Sequence, residues 1–257
     1  MKKGFTLVEL SIVLVIIGLL IGGILVAQSM IESAEVQKFA RQMGEMKAAV
    51  RNFKAKYNYL PGDSPFHSAA GDGDGRIETV DLDAGTAPYT TKFDGETSNF
   101  WVHLQQDGFL DKEYPAFSND ASGGTDIITH IPKSAMGTKD AGILPMYHNS
   151  TLFARGHYFK ICDYSVTTGT SLLGSTIKSV FTPIEALAID TKMDDGLTGA
   201  GLSGGGGYLG DVVYFNWVDG TAGGTLAGTC IASSNPYGYL PNNNLECCLM
   251  IAMDDRQ

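Results

Sequence analysis

The chain opens Met1-Lys-Lys-Gly-Phe-Thr-Leu-Val-Glu9 and runs straight into an apolar stretch from Leu10 to Ala27, the feature that restricts its fold most. Apart from Ser11, that stretch holds only Leu, Ile, Val, Gly and Ala. As a helix rising about 1.5 Å per residue it is roughly 27 Å long, close to the thickness of a bilayer's hydrocarbon core. Lys2 and Lys3 at its start belong on the cytoplasmic side, which puts the C-terminal bulk outside the inner membrane. Everything downstream reads as cargo on this anchor.

Three readings compete for the stretch. A secretory signal suits the lysines and the apolar run, but no small-x-small cleavage site follows, and residues 28–57 continue as a helix. A plain membrane anchor fits except at Glu9. A carboxylate inside an apolar segment costs about 2.5–3.5 kcal/mol at a helix centre and by default marks a function. The third reading supplies a partner for it. Lys-Gly-Phe-Thr-Leu-Val-Glu ahead of an apolar run resembles the class III signal of type IV prepilins and type II secretion pseudopilins. The resemblance implies cleavage by a prepilin peptidase between Gly4 and Phe5 and N-methylation of the new terminus at Phe5. It also implies that Glu9 pairs with the terminal amine of a neighbouring subunit. An ammonium facing the buried carboxylate offsets its cost and fixes the register between subunits. Before assembly, Glu9 lies near the helix start, where the helix dipole lessens the cost.

This divides the chain into a leader (1–4), a long helix (5–57) whose segment 5–27 spans the membrane and then forms a filament core, and a periplasmic or extracellular head (58–257). Gly18 and Gly22 make a small-xxx-small pair that permits close helix approach, or are simply glycines of a membrane helix. Past Ala27 the pattern becomes periodic. Val36, Phe39, Met43, Met46, Val50, Phe53 and Tyr57 recur at steps of three and four, the stripe of an amphipathic helix that packs on the head. Pro61, in Leu60-Pro61-Gly62-Asp63, ends the helix.

Charge is unevenly spread around a net −10. Residues 58–257 hold 24 acidic and 10 basic side chains, so the head is strongly acidic. That disfavours broad binding to nucleic acid and suits divalent cations better. The densest cluster is Gly71-Asp-Gly-Asp-Gly-Arg-Ile-Glu-Thr-Val-Asp81. Set against an EF-type loop, Asp72 and Asp74 take the third and fifth places, and Gly75 falls on the turn glycine. Arg76 takes the backbone-carbonyl place and Ile77 the apolar eighth, while Glu78 and Asp81 take the ninth and twelfth. Ala70 stands first and offers no side-chain oxygen, so a ligand has to come from elsewhere. Glu96, just before Thr97-Ser-Asn-Phe-Trp-Val-His-Leu, is the candidate. A Gly-Asp-Gly-Asp-Gly loop followed by a glutamate and a Phe-Trp-x-x-Leu helix also resembles a group of large pilin-like proteins. Two readings stand: a calcium site on Asp72, Asp74, the Arg76 carbonyl and Glu96, or an acidic turn without metal.

The rest of the head reads as α+β, a small antiparallel sheet with loop insertions packed on the long helix. A short helix is expected over Thr97–Gln106, capped by Thr97 or Ser98 and facing the core with Phe100, Trp101 and Leu104. Asn119 to Met146 carries few periodic signals and reads as a surface excursion. Strands are expected at Tyr158–Val166, Asp211–Val218 and Cys248–Met253. Thr182-Pro-Ile-Glu185 is a capping box that opens a helix to about Lys192. Asp190 to Gly196 after it reads as a solvated helix end or a second calcium loop. Gly199-Ala-Gly-Leu-Ser-Gly204 satisfies G-x-G-x-x-G by count, but no strand precedes it and no helix follows, so it is a loop.

Cys162, Cys230, Cys247 and Cys248 allow three pairings in an exported chain. Cys230 with Cys247 or Cys248 would close a C-terminal loop over Asn235–Asn242, similar to the disulfide-closed loop of pilins. The five histidines are scattered, with no H-E-x-x-H and no G-x-S-x-G, and nothing points to catalysis. The reading is a structural subunit, a minor pilin or pseudopilin. Its partners are copies of itself or other pilins, the peptidase and, before assembly, the inner membrane. The alternative is a filament-tip binding module, an adhesin or a DNA-uptake pilin, whose head contacts a surface or substrate.

Overall fold

The computed structural model describes residues 6–67, 71–77, 93–115, 127–138, 140–148, 156–165, 178–194, 212–215, 230 and 247–253. Helix α1 (Leu7–Tyr57) is 51 residues long, which at the usual rise is about 76 Å. It passes without a break through Gly18, Gly22 and Gly23, and a Cβ added at any of the three would meet nothing within 4 Å. Lys54 and Lys56 in the last turn complement the helix dipole. The helix stops earlier than Pro61 requires. Asn58 takes the left-handed conformation (φ 61°), and its N–H donates to the Lys54 carbonyl at 2.8 Å. Asparagine tolerates this conformation because its short side chain bonds locally.

Burial divides α1 in two. No side chain from Leu7 to Glu35 is buried by the chain. From Val36 onward the expected stripe is covered: Val36, Phe39, Met43, Met46, Val50 and Phe53 are buried and Tyr57 is half-buried. Their partners come from two shorter helices and the segments that flank them. Helix α2 (Gly95–Gln106) and helix α3 (Pro183–Met193) both touch α1, α2 also touches strand β1 (Ala141–His148), and α3 touches strand β3 (Val212–Phe215). The Phe39 ring meets Phe181 edge-on at 5.9 Å, and Phe53 meets Phe109 at 6.0 Å. In α3 the capping box forms as expected, with Thr182 and Glu185 exchanging bonds at 2.7–3.2 Å. Helix α2 begins two residues before the expected start, with Asp94 at the N-cap. Thr97 and Ser98 therefore lie inside the first turn and do not cap it; the Ser98 hydroxyl bonds back to the Gly95 carbonyl.

The sheet is antiparallel throughout, in the order β1-β2-β4-β3. Its strands are β1 (Ala141–His148), β2 (Gly156–Asp163), β3 (Val212–Phe215) and β4 (Cys248–Ala252). The α+β expectation holds, and so do β2, β3 and β4 within the described residues. Strand β1 corrects the reading of Asn119 to Met146 as a surface excursion. All eight of its residues are buried, so there is no period-two alternation to detect. Pro145 is tolerated because β1 is an edge strand, where a missing N–H breaks no ladder on the open side. Gly142 is needed because a Cβ there would stand 2.5 Å from the Ile131 side chain and 2.8 Å from that of Ile128. Val166, Asp211, residues 216–218, 195–211 and the 235–242 loop lie outside the described residues.

Register also settles the cysteines. Strand β2 pairs with β4 so that Ile161 faces Leu249, which brings Cys162 beside Cys248. The structure joins Cys162 to Cys248 (Cα–Cα 5.1 Å) and Cys230 to Cys247 (5.2 Å). Adjacent residues in a strand point to opposite faces, so Cys247 and Cys248 serve two different bridges.

Lys160 sits in β2 between these constraints. Phe159 beside it meets the rings of Phe100 and Trp101 in α2, so Lys160 points to the other face, and it is buried there. Burial lowers its ammonium to about 8. Burial and the Lys160 charge together lower His148 to about 4. A base whose folded pKa lies below its unfolded one destabilises the fold below the folded value, and that cost is relieved as pH rises toward the unfolded value. Head stability should therefore rise by about 3 kcal/mol between pH 8 and 10.5, and Lys160→Met should abolish the rise in denaturation curves. Phe53→Ala should cost about 3–5 kcal/mol in the same measurement, and Leu19→Ala nothing.

Candidate functional site

Two groups of residues carry the chemistry that the sequence singles out. The first is the start of α1. Gly4 and Phe5 lie outside the described residues. Thr6 is the N-cap and Glu9 the third helical residue of a complete capping box. The Thr6 N–H and hydroxyl donate to Glu9 Oε2 at 2.8 and 2.7 Å, and the Glu9 N–H donates to the Thr6 hydroxyl at 3.3 Å. The single carboxylate of the apolar segment therefore has two donors within its own chain. Its cost in an apolar setting is thereby offset locally.

The second group lies where α1 ends. The chain turns at Asn58, passes through Pro61, Gly62 and Asp63, and returns in the loop of residues 71–75 against the first turn of α2. Three glycines make that convergence possible. Gly62 has φ +88°, and a Cβ there would run into the Glu96 carbonyl. A Cβ on Gly71 would collide with the Asp63 backbone and lie 2.5 Å from Glu96 Oε1. Gly73 has φ +79°, and its Cβ would lie 2.9 Å from the Tyr59 ring. The Gly62 N–H donates to Nδ1 of His103, which is buried in α2, at 3.0 Å. His103 thus positions the turn.

Within this turn, Asp72 and Asp74 come together with Asp63, one carboxylate oxygen of each lying within 4.8 Å of the others. Asp72 and Asp74 are exposed, while Asp63 is fully buried. The Asp74 N–H donates to Asp72 Oδ1 at 2.9 Å, and the Arg76 N–H to Asp74 Oδ1 at 2.8 Å. Glu96 adjoins the trio, since its Oε1 accepts the Asp72 N–H at 3.1 Å. The Arg76 guanidinium stands 3.5 Å from Asp74 Oδ2 and over the Tyr147 ring. Asp63 Oδ2 accepts the Gly75 N–H at 3.1 Å. Burial, then the nearby charges of Asp74 and Asp72, push its carboxyl up to about 6 against the Gly73 and Gly75 N–H groups. Glu78 and Asp81 lie outside the described residues. Sequence reasoning missed Asp63 because the Leu-Pro-Gly-Asp segment reads as a helix stop. It lies eight residues before the loop, beyond the span of any loop template.

A third arrangement sits beside these and has the residue types of a hydrolytic triad. Ser64 Oγ lies 3.0 Å from His67 Nδ1, and His67 Nε2 lies 2.9 Å from Asp107 Oδ2. Ser64, however, is fully buried, and its oxygen also accepts the Phe66 N–H at 3.4 Å. The His67 ring stacks on His103 at 4.5 Å. Asp107 accepts from Tyr57 (2.7 Å) and Lys56 (3.4 Å) in α1. Burial opposes ionisation of Asp107, yet the hydrogen bonds from Tyr57, His67 and Lys56 hold its carboxyl below the usual range. The group is a clasp between α1 and the end of α2.

Residues 1–25 match a family model described as the prokaryotic N-terminal methylation motif. No curated protein and no solved structure matches the chain. The chain thus carries the type IV pilin and pseudopilin signal, a motif of structural and not of catalytic proteins. Helix α1 is long and apolar enough to cross a membrane, and the motif and this helix together suggest membrane anchoring. The long helix with a small antiparallel sheet has the plan of a pilin.

The convergence at Gly62 yields a direct test. Gly62→Ala places a Cβ against backbone at a positive φ and should cost more than about 1–3 kcal/mol in urea denaturation of the full chain. Gly75→Ala, where a Cβ meets nothing within 4 Å, should cost less.

Proposed function

We propose that the chain is a subunit of a type IV pilus or of a type II secretion pseudopilus, cleaved after Gly4, methylated at Phe5 and assembled through the first half of α1. The observation that carries the reading is the uncovered apolar surface of that half. Leu10, Leu14, Leu19 and Ile24 are each more than half exposed, on a helix whose other half is the core of the head. Such a surface has to be covered by lipid or by neighbouring chains.

Glu9 gives the helix a way to exchange one cover for the other. In the membrane its carboxylate is held by Thr6 of the same chain. In a filament the methylated amine of a neighbour's Phe5 competes with those two donors. The exchange trades two hydrogen bonds for an ion pair in a dry core, and there a full opposite charge is the stronger partner. The head follows as the periplasmic part and, after assembly, as the filament surface. Its size suits a minor subunit with a surface role.

Two substitutions test the reading. Gly4→Glu should leave the chain at precursor mass in mass spectrometry, whereas the parent should lose residues 1–4 and gain one methyl group. Glu9→Ala should insert into membranes at the parent level and fall at least tenfold in sheared filament fractions. Parent-level assembly of Glu9→Ala would refute the pairing.

A further inference from the structure

We propose that Asp63, Asp72 and Asp74 form a binding site for a divalent cation of calcium's size, and that the ion ties the end of α1 to the start of α2. The site stands apart from the assembly chemistry of the first helix half and does not depend on it.

The three carboxylates fit a single ion. One oxygen of each lies within 4.8 Å of the other two. Calcium–oxygen distances are about 2.3–2.6 Å, so two ligands of one calcium stand at most about 5.2 Å apart. The donor set is all carboxylate, the preference of a hard cation and not of zinc or copper. The cluster alone would be an acidic turn; Asp63 makes it more. That side chain is fully buried, and its Oδ1 has no hydrogen-bond partner among the described residues. Buried polar oxygens are rarely left so, and a buried carboxylate beside two further carboxylates calls for positive charge.

The surroundings supply access and additional oxygen. A cavity of about 330 Å³ borders Asp63 and Asp74, giving the ion and its waters room. Asp72 and Asp74 are exposed and can take up or release an ion without unfolding the head. Glu96 Oε1 accepts the Asp72 N–H at 3.1 Å, which places a fourth carboxylate beside the trio. Calcium's six to eight ligands are then completed by carbonyls and water. Ala70 offers no oxygen at the first loop place, and Asp63 supplies one from outside the loop. Arg76 lies against Asp74 at 3.5 Å and is the side chain that the ion has to displace.

The mechanical consequence follows from where the ligands sit. Asp63 follows the end of α1 by six residues, Glu96 is in the first turn of α2, and α2 packs on β1. An ion at Asp63 therefore fixes the angle at which the head leaves its stalk.

The test uses the full-length chain in detergent micelles, stripped with chelator and titrated with calcium chloride or magnesium chloride. Calcium should raise the melting temperature by a few degrees, increasing with the logarithm of its concentration, and magnesium should do so less. Terbium should bind with luminescence excited through tyrosine, since Tyr59 abuts Gly73, and calcium should displace it. Asp63→Asn should weaken calcium at least tenfold. The exposed pair Asp72→Ala/Asp74→Ala should abolish the shift while the chain still melts cooperatively, and Arg76→Ala should tighten binding. No calcium shift and no displaceable terbium in the parent would overturn the proposal. So would undiminished calcium affinity in the Asp72→Ala/Asp74→Ala chain.

Discussion

One helix has to satisfy two environments, and the rest of the structure answers to that demand. Helix α1 runs unbroken from Leu7 to Tyr57, but its own chain covers only the part from Val36 onward. Burying a leucine or isoleucine side chain is worth about 1.5–3 kcal/mol, and the first half of α1 leaves more than a dozen large apolar side chains uncovered. No local adjustment meets that cost. The segment has to sit in lipid or among its own kind, and the second half has to be held by a head firm enough to keep the rod straight. Glu9 is tuned to the same problem. Its capping box with Thr6 gives the lone carboxylate two donors from its own chain.

The head is built to grip the lower half of the rod. Two short helices pack on the stripe from Val36 to Phe53 and share one core with an antiparallel sheet, and two disulfides tie β4 to β2 and Cys247, just before β4, to Cys230. Closing such loops is worth about 3 kcal/mol or more under the chain-entropy view. The junction where α1 ends is closely packed. Gly62 and Gly71 let backbones approach more closely than a Cβ permits, His103 holds the Gly62 N–H, and Asp107 joins α1 to the end of α2. Asp63 lies in that junction, fully buried.

Much of this was legible in the residues because it is local or periodic. The stripe from Val36 to Tyr57, the capping box at Thr182 and the core face of α2 each follow from spacings of three and four. The signal at Gly4, Phe5 and Glu9 is a contiguous motif. What was not legible is what depends on tertiary partners. Strand β1 is buried on both faces and interrupted by Gly142 and Pro145, so alternation failed, and only its edge position explains the proline. The start of α2 lies two residues earlier than Thr97 and Ser98 suggest, after Asp94, which caps without a side-chain bond. The disulfide partners needed the β2–β4 register. Asp72 and Asp74 stand out in the loop pattern, whereas Asp63 reaches them only through the turn at Gly62.

Mapping the surroundings of α1 residue by residue tests the two-environment helix most directly. Single cysteines placed from residue 10 to residue 35, in a chain whose native cysteines stay paired, would be probed in intact membranes with a water-soluble maleimide. Residues 10–27 should resist labelling, and outward-facing positions from residue 32 onward should react. Ready labelling at positions 14 and 19 in intact membranes would place the first half of α1 in water and contradict the two-environment helix.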